Sequence, residues 1–332
     1  MKIVFFETGH DDIVKFRGKL AGFDLDFVDV PLNLDTIDKA KDADVIVVFI
    51  YSTVNKEVLD LLPNLKFINT MSTGFDHIDI GECKKRSILV SNVPSYGEIT
   101  VAEHTFALLL SLSRRMVESY ARVKSGYFSP EGLTGFDLSG KTIGVVGVGA
   151  IGKNVIKIAK GFGMNVLGYK RTPDPKLEQE LGFKITDLDT LLSSSDIVSI
   201  HLPYSQETHH LIDEEKFAIM KEGAIILNTA RGAIIDTQAM LSSLGKGKLA
   251  GIGLDVCEGE PVLREEAELL SRQFNNEQML YVLEEHMLLS HKNVIITPHN
   301  AFNSREALHI IHDTTIENIK KFTSNASQNL VS

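Results

Sequence analysis

The sequence predicts an α/β protein of two domains, each built around a parallel β-sheet. Three observations lead to this prediction. The chain has 332 residues, which suits two domains better than one core. Short apolar runs alternate with segments of helical periodicity, a pattern typical of βαβ units. Near the middle of the chain, a glycine-rich turn joins one apolar run to a helical segment.

The first series of elements occupies about 95 residues. Buried strands, with amphipathic helices between them, are predicted at residues 3–6, 44–49, 65–69 and 88–90. A long helix is predicted over residues 100–123. Because its apolar residues lie on most of its sides, we expect this helix to be buried between the domains.

A second series of elements follows a loop rich in glycine and proline. Asp213 and Asp236 each precede a helical segment and are predicted N-caps. The acidic stretch 263–289 is longer than a connection between strands requires, and we interpret it as an inserted helical elaboration. The predicted strands suit a doubly wound sheet and lie at residues 141–146, 165–169, 196–201, 224–228, 249–255 and 293–297.

The last amphipathic segment, residues 304–322, has no sheet of its own to cover. We therefore expect it to return to the first domain. On this prediction the first domain is discontinuous and comprises residues 1–99 and 300–332. The second domain comprises residues 100–299.

The composition argues against several classes of protein. With 34 basic and 44 acidic residues the net charge is −10, which argues against nucleic acid as a partner. Cys83 and Cys257 lie far apart and outside any Cys/His cluster, so neither a disulfide framework nor a metal site is predicted. The first residues lack a signal-peptide run, and no apolar stretch approaches the ~20 residues of a membrane span. We expect a cytoplasmic protein with no membrane partner.

The turn at residues 147–152 has the pattern G-x-G-x-x-G between a predicted strand and a predicted helix. Gly147 permits a tight turn, Gly149 lets the backbone approach a pyrophosphate, and Gly152 lets the helix pack on the strand. The helix N-terminus then faces the anion. The turn predicts a dinucleotide site, and the alternative is a glycine turn that only packs.

Two basic residues follow the second strand of this series. A site for NAD normally has Asp or Glu near position 170, which accepts a hydrogen bond from the ribose. Lys170 cannot accept one, but Lys170 and Arg171 together suit the 2′-phosphate of NADP. The sequence therefore predicts NAD or NADP as cofactor, with NADP accepted. The alternative is that both side chains are merely solvated at the end of the strand.

Three polar segments also follow predicted strands, at residues 227–232, 253–261 and 297–302. The sequence resembles the D-isomer-specific 2-hydroxyacid dehydrogenases, and among them the D-lactate dehydrogenase group. The residues that carry this resemblance are the three polar segments, the turn at 147–152, residues 72–78, residues 101–104, and His201-Leu202-Pro203 with Thr208. The resemblance extends over nearly the whole chain. It implies two Rossmann-like domains, a flavodoxin-like substrate-binding domain and a dinucleotide-binding domain, with the active site in the cleft between them, and a homodimer.

In this family an arginine, a glutamate and a histidine perform the catalysis, and the matched residues here are Arg231, Glu260 and His299. A guanidinium binds the carboxylate of a 2-keto acid and polarises the adjacent carbonyl. A histidine supplies the proton that the carbonyl oxygen needs, and a carboxylate orients that histidine. Each of the three residues also has an alternative interpretation when it is considered alone. Arg231 could be a surface cation, Glu260 a cap of a turn, and His299 a structural histidine.

The resemblance also implies further contacts. Thr73 and Gly74 would offer backbone N–H groups to the substrate carboxylate, and Tyr51 and Tyr96 would narrow the substrate pocket; ordinary aromatic packing is the alternative for the tyrosines. The remaining implied cofactor contacts are Ala150, Ile151, Leu202, Pro203, Thr208, Thr229, Ala230 and Asp255. We interpret three other histidines as non-catalytic: His104 as a hydrogen-bonded structural residue, and His209 and His210 as surface residues that point in different directions.

The expected activity is reduction of a pyruvate-like 2-keto acid by NAD(P)H to the D-2-hydroxy acid, with His299 as proton donor. A glyoxylate or hydroxypyruvate reductase of the same family is the alternative within enzymes. A nucleotide-sensing, corepressor-like binding protein is the alternative from a different class. The sequence leaves open the physiological substrate and the direction of the reaction in the cell.

Overall fold

The computed structural model describes residues 1–260 and 276–331, and it divides into two compact units. Unit 1 comprises Met1–Tyr96 with Asn303–Ser332, and unit 2 comprises Gly97–Phe302. Each unit contains one parallel sheet with helices, which confirms the predicted α/β fold class. No helix in the described ranges is long and apolar enough to cross a membrane.

The sheet of unit 1 has five parallel strands in the order β2-β1-β3-β4-β5. Strand β2 lies at the edge and pairs only with β1. Its residues alternate between exposed and half-buried, which is why no apolar run marks it in the sequence. The strands are β1 (Lys2–Phe5), β2 (Asp24–Phe27), β3 (Val45–Val48), β4 (Phe67–Thr70) and β5 (Leu89–Ser91).

The C-terminal helix packs on the sheet of unit 1. It spans Arg305–Thr323, and the side chain of Ser304 caps its N-terminus. Phe322 stacks on Phe67 of β4, with ring centroids 4.4 Å apart. The three helices that precede it in this unit are α1 (His10–Lys19), α2 (Lys56–Asp60) and α3 (Ile80–Lys85).

The sheet of unit 2 has seven parallel strands in the order β12-β11-β10-β9-β6-β7-β8. The strand order reverses between β6 and β9, so a crevice forms at their carboxyl ends. Strand β8 has only two residues, too few for a recognisable pattern. The strands are β6 (Thr142–Val146), β7 (Asn165–Tyr169), β8 (Lys184–Ile185), β9 (Ile197–Ile200), β10 (Ala224–Asn228), β11 (Leu249–Leu254) and β12 (Val294–Ile296).

Two helices of unit 2 begin where the sequence signals indicate. The carboxylates of Asp213 and Asp236 accept hydrogen bonds from the main-chain N–H groups of Lys216 and Ala239, which confirms both predicted N-caps. The helices are α4 (Glu98–Ser113), α5 (Met116–Lys124), α6 (Ala150–Gly161), α7 (Pro175–Leu181), α8 (Leu188–Ser194), α9 (Glu214–Ile219), α10 (Thr237–Gly245) and α11 (Asn276–Leu289), and the C-terminal helix of unit 1 is α12.

The prediction of one buried helix over residues 100–123 is wrong. Helix α4 ends at Ser113, Arg115 adopts a left-handed conformation with φ 49°, and α5 starts at Met116. The Ser113 carbonyl accepts a hydrogen bond from Phe136 N–H, so a contact distant in sequence ends the helix. Helix α4 has a buried face, whereas no residue of α5 is buried in the part of the chain that the structure describes.

The predicted insertion over residues 263–289 is described only in its second half, because residues 261–275 lie outside the described ranges. From residue 276 onward it is the helix α11, as predicted. Val282 and Leu288 are its buried apolar residues, and the helix packs beside α10.

Candidate active site

The glycine-rich turn after β6 is tightly packed at two of its glycines and open at the third. Gly147 has φ 105°, and a Cβ there would lie 2.6 Å from the carbonyl oxygen of His201. A Cβ on Gly152 would lie 2.2 Å from the Gly147 carbonyl oxygen. Gly149 is the N-cap of α6, and no described atom lies within 4 Å of where its Cβ would be. The residues present therefore fit a dinucleotide pyrophosphate in front of this helix.

The loop after β9 closes the other side of this turn. A Cβ on Gly147 would lie 3.0 Å from Leu202 Cδ2. The Thr208 hydroxyl donates to the carbonyl oxygen of Pro203 at 2.9 Å, so Thr208 holds its own loop together. Of the other implied cofactor contacts at this edge, Ala150 is exposed and Ile151 is half-buried in the first turn of α6.

The two cations after β7 are each paired with an acid. Lys170 Nζ lies 2.8 Å from Asp174 Oδ2, and a guanidinium nitrogen of Arg171 lies 2.5 Å from Glu207 Oε2. The hydrogen bond from Lys170 lowers the pKa of the Asp174 carboxyl below its ordinary value. The segment after β7 thus carries a carboxylate, that of Asp174, four residues beyond the position at which an NAD site usually has one.

Arg231, Glu260 and His299 lie on the loops that follow β10, β11 and β12, three neighbouring strands. A Cβ on Gly232 would lie 2.1 Å from the carbonyl carbon of Cys257, so the main chains of the first two loops touch. The main-chain N–H of His299 donates to the carbonyl oxygen of the residue that follows β11, at 2.9 Å. The structure therefore brings the three side chains to one edge of the sheet of unit 2.

Glu260 and His299 form a direct pair. Glu260 Oε2 lies 2.7 Å from His299 Nδ1, and the side chains are 22% and 17% exposed. The other oxygen, Oε1, accepts the main-chain N–H of Cys257 at 3.1 Å. His299 has φ 48°, a left-handed conformation that is uncommon outside glycine. The carboxylate is thus fixed by the main chain and in turn fixes the orientation of the imidazole.

A side chain that the sequence analysis overlooked, Asn228, shapes the turn that carries Arg231. Asn228 Nδ2 donates to the Arg231 carbonyl oxygen at 2.9 Å, and Asn228 Oδ1 accepts the Ala230 N–H at 3.0 Å. A guanidinium N–H of Arg231 donates to the Ala230 carbonyl oxygen at 2.8 Å. The Thr229 hydroxyl lies 3.1 Å from that of Thr105 on α4. The sequence did carry a signal for this role, because Asn228 is a polar residue at the end of a strand that is otherwise apolar.

Asp255 is 1% exposed and anchors the loop that carries His299. Its Oδ1 accepts from Asn300 N–H at 3.0 Å and from the Thr297 hydroxyl at 2.5 Å. Its Oδ2 accepts from Ala301 N–H at 2.8 Å. His104 Nε2 lies 3.0 Å from Thr297 Oγ1, so this histidine is hydrogen-bonded to the same loop.

The predicted substrate residues of unit 1 follow β3, β4 and β5, which are adjacent in its sheet. The Tyr51 main-chain N–H donates to Glu7 Oε2 at 3.2 Å. The Thr73 hydroxyl donates to the carbonyl oxygen of Val93 at 2.8 Å, and Gly74 is half-buried beside it. Tyr96 is half-buried and is the last residue of the first segment of unit 1. These residues lie at the carboxyl edge of the sheet of unit 1.

The interpretation of His209 and His210 as surface histidines is confirmed for His209, which is exposed, but His210 is half-buried and the expectation that the two point in different directions is wrong. Their rings stack with centroids 4.0 Å apart, and His210 Nε2 lies 2.6 Å from Glu258 Oε1. The Glu258 carboxylate also accepts from the hydroxyl of Thr237 at 2.8 Å. The sequence gives little sign of this pairing, because His210 and Glu258 are 48 residues apart.

Comparison with known proteins agrees with this architecture. The model of the NAD-binding domain of the D-isomer specific 2-hydroxyacid dehydrogenases matches residues 106–301. The D-lactate dehydrogenase of Escherichia coli is 37% identical over 323 residues, covering 96% of each chain. The glyoxylate reductase of Thermococcus litoralis is 38% identical over 293 residues, covering 86% of this chain and 82% of that protein.

A solved structure is similar over nearly the whole chain. The D-lactate dehydrogenase of Aquifex aeolicus, whose crystal structure is a complex with NAD and lactic acid, matches with a TM-score of 0.88 at 37% identity. The match covers 98% of this chain and 96% of that one. Because the family model spans more than half of the chain and the relatives span most of it, the family resemblance is confirmed. The chain belongs to the D-isomer specific 2-hydroxyacid dehydrogenase family and is an NAD(P)-dependent oxidoreductase.

Proposed function

We propose that this chain is a D-lactate dehydrogenase that reduces pyruvate, or a keto acid of similar size, with Arg231, Glu260 and His299 as its catalytic residues. The observation that carries the proposal is the 2.7 Å contact between His299 Nδ1 and Glu260 Oε2, on loops joined to that of Arg231. An imidazole oriented by a carboxylate and accompanied by a guanidinium is what the reduction of a 2-keto acid requires.

In the proposed mechanism the bound dinucleotide supplies the hydride for the keto carbon. Arg231 binds the substrate carboxylate through its planar guanidinium and polarises the neighbouring carbonyl. His299 donates a proton to the carbonyl oxygen as negative charge develops there. Glu260 keeps the imidazole in the required orientation through Nδ1. Thr73 and Gly74 contribute backbone N–H groups to the substrate carboxylate.

The carboxyl edge of the sheet in unit 2 supports NAD as cofactor and NADP as an accepted second one. The open backbone at Gly149 would hold the pyrophosphate, the tight packing at Gly147 and Gly152 would shape the turn for it, and residues of the loops after β6, β9 and β10 would line the rest of the dinucleotide. Lys170 and Arg171 favour a 2′-phosphate, but Asp174 and Glu207 neutralise them, so we infer no strong preference for NADP. Asp174→Asn frees Lys170 from its carboxylate and is expected to raise the rate with NADPH relative to NADH.

Two activities within the family compete for the assignment. Coverage of relatives favours D-lactate dehydrogenase: the E. coli enzyme aligns over 96% of its length and the T. litoralis glyoxylate reductase over 82% of its own. Tyr51 and Tyr96, at the edge of the sheet in unit 1, suit a small substrate. The nearly equal identities of the two relatives, 37% and 38%, keep glyoxylate reductase as the second candidate.

Initial rates test the proposal directly. Pyruvate, glyoxylate, hydroxypyruvate and a branched 2-keto acid are each supplied with NADH and with NADPH. We expect the highest kcat/KM with pyruvate, and D-lactate rather than L-lactate as the product. A higher value with glyoxylate would reassign the chain to the second candidate, and full pyruvate reduction by Arg231→Ala would contradict the proposed catalytic residues.

The proposal includes a homodimer. Helix α5 and the residues after it expose apolar side chains in the described structure, with Val117 57% exposed, Tyr120 68% and Phe128 91%. An apolar surface of this kind is typical of a subunit interface. Sedimentation equilibrium should therefore give twice the 36.7 kDa mass of the chain, and Tyr120→Asp should shift it to the monomer.

Cys83 and Cys257 are both unpaired, which supports the proposed cytoplasmic location.

A further inference from the structure

We propose that Glu258 is a positioning residue for catalysis. It acts with His210 and Thr237 as one hydrogen-bonded group, here called the Glu258 anchor, that sets the loop of Glu260 against the loop of Arg231. The inference rests on the proposed function, because it takes those two residues as catalytic.

Within the Glu258 anchor, both oxygens of the Glu258 carboxylate are hydrogen-bonded. Glu258 Oε1 lies 2.6 Å from His210 Nε2, and Oε2 accepts from the hydroxyl of Thr237 at 2.8 Å. The Glu258 side chain is 11% exposed. A carboxylate that is shielded from water and bonded at both oxygens has one orientation, and hydrogen bonds to a charged group are stronger than neutral ones.

Two members of the anchor, Glu258 and Thr237, lie close along the chain to a catalytic loop. Glu258 lies two residues before Glu260, in the turn whose Cys257 N–H holds Glu260 Oε1 at 3.1 Å. Thr237 begins α10, directly after the segment that starts with Arg231. The hydroxyl bond between Thr237 and Glu258 therefore ties the end of one catalytic loop to the turn of the other.

His210 contributes a third attachment. It has φ 48°, and its main-chain N–H donates to the Ala233 carbonyl oxygen at 2.9 Å. Two residues later, Ile212 N–H donates to the Ile234 carbonyl oxygen at 3.1 Å. His210 is thus bound through its backbone to the loop of Arg231 and through its ring to the loop of Glu260.

The two loops are in direct main-chain contact beside the anchor. A Cβ on Gly232 would lie 2.1 Å from the Cys257 carbonyl carbon and 2.4 Å from the Glu258 nitrogen. The loops touch here through main-chain atoms, one residue from Arg231 and two from Glu260. A small shift of Glu258 is therefore transmitted to the catalytic residues, and a misplacement of about 1 Å is enough to cost about 100-fold in rate.

Three variants test the anchor in the full-length protein. Glu258→Ala removes both contacts and is expected to lower kcat about 100-fold, as for a misplaced catalytic group. Thr237→Val removes one contact at constant shape and is expected to lower kcat about tenfold, the effect of one hydrogen bond to a charged group. Thr237→Ser keeps the hydroxyl and should restore kcat.

The matched control is a threonine–aspartate contact elsewhere in unit 2. Thr190 Oγ1 donates to Asp187 Oδ2 at 2.7 Å in the first turn of α8, remote in sequence from the catalytic loops. Thr190→Val loses an equivalent bond and should leave kcat unchanged. NADH titration by fluorescence and thermal unfolding accompany every variant.

A positioning role requires kcat to fall while the Kd for NADH and the fraction of folded protein stay near those of the wild type. If Thr237→Val retains the kcat of the wild type, or if Thr190→Val lowers kcat as much, the anchor is not a positioning device. Failure of the wild-type protein to reduce any 2-keto acid would instead contradict the proposed function. If Glu258→Ala does not fold, the Thr237→Val and Thr237→Ser pair still decides between these outcomes.

Discussion

The carboxyl edges of the two sheets hold their candidate site residues by different means. In unit 2 the residues proposed for chemistry act through ionisable side chains: Glu260 Oε2 holds the ring of His299, and the Cys257 N–H holds Glu260 Oε1. In unit 1 the Thr73 hydroxyl is used internally, on the Val93 carbonyl oxygen, and Thr73 offers its backbone. Sequence patterns can therefore predict site residues that act through ionisable side chains. They cannot predict main-chain N–H donors, because the fold decides where those groups point.

The largest effect that would test this contrast is at His299. His299→Gln removes the proposed proton donor and is expected to lower kcat by about 10²–10⁴, the usual contribution of a general acid. The measurement is steady-state pyruvate reduction, with NADH binding as the check that the site remains folded. His309→Gln is the control, since His309 is 70% exposed on α12 in unit 1. Equal losses in both variants would contradict the assignment.

Two glycines in the first turns of helices provide the second comparison. Gly152→Ala in unit 2 brings a Cβ to 2.2 Å from a main-chain oxygen and is expected to reduce the free energy of unfolding by about 1–3 kcal/mol. Gly81→Ala in unit 1 meets only the Asp79 side chain, at 3.4 Å, and should stay within about 1 kcal/mol of the wild type. Thermal and urea unfolding measure both. If Gly152→Ala reduced the free energy of unfolding no more than Gly81→Ala does, the turn of unit 2 would tolerate a side chain.

A half-buried histidine of unit 2, whose Nδ1 atom is shielded from water, provides a pH-dependent test. Burial lowers the pKa of His201 from 6.5 to about 3. Below pH 6.5 the unfolded chain therefore binds a proton that the folded chain does not, and stability is lost as the pH falls toward 3, by about 1.4 kcal/mol per pH unit. His201→Gln should flatten the urea-unfolding curve of stability against pH between 6.5 and 5. An unchanged slope in His201→Gln would contradict this account.

The smallest effect is expected in unit 1. Thr73→Val removes one hydroxyl bond but keeps the backbone N–H that is proposed to bind the substrate. We expect KM for pyruvate to rise about fivefold or less, in line with the roughly 1 kcal/mol of one neutral hydrogen bond. A loss of kcat as large as that of His299→Gln would show that the side chain itself takes part, and the contrast between the two edges would fail.

Patterns within one element predicted much of the fold. Strand β10 lies where its apolar run indicates, because it is buried on both faces and is marked by continuous apolar sequence. The edge strand β2 is missed because its Asp24 and Asp26 interrupt any apolar run. The break after Ser113 is missed because its cause, the Phe136 N–H, is distant along the chain.

The same distinction applies to the candidate site. Asn228 at the end of a strand carried a local signal, but the contact between His210 and Glu258 joins residues 48 apart. No periodicity or spacing rule reports such a contact, since it arises only when β9, β10 and β11 align in one sheet. Tertiary hydrogen bonds are therefore the part of the site that requires coordinates.

The left-handed backbone of His299 has a consequence for protein engineering. A residue other than glycine in this conformation costs about 1–2 kcal/mol, so the proposed proton donor occupies a position at which histidine lowers the stability of the fold. A selection for heat resistance alone would therefore be expected to enrich glycine or asparagine at position 299 and to yield hardier but inactive proteins. Any screen for robust variants of this dehydrogenase needs a turnover step in every round.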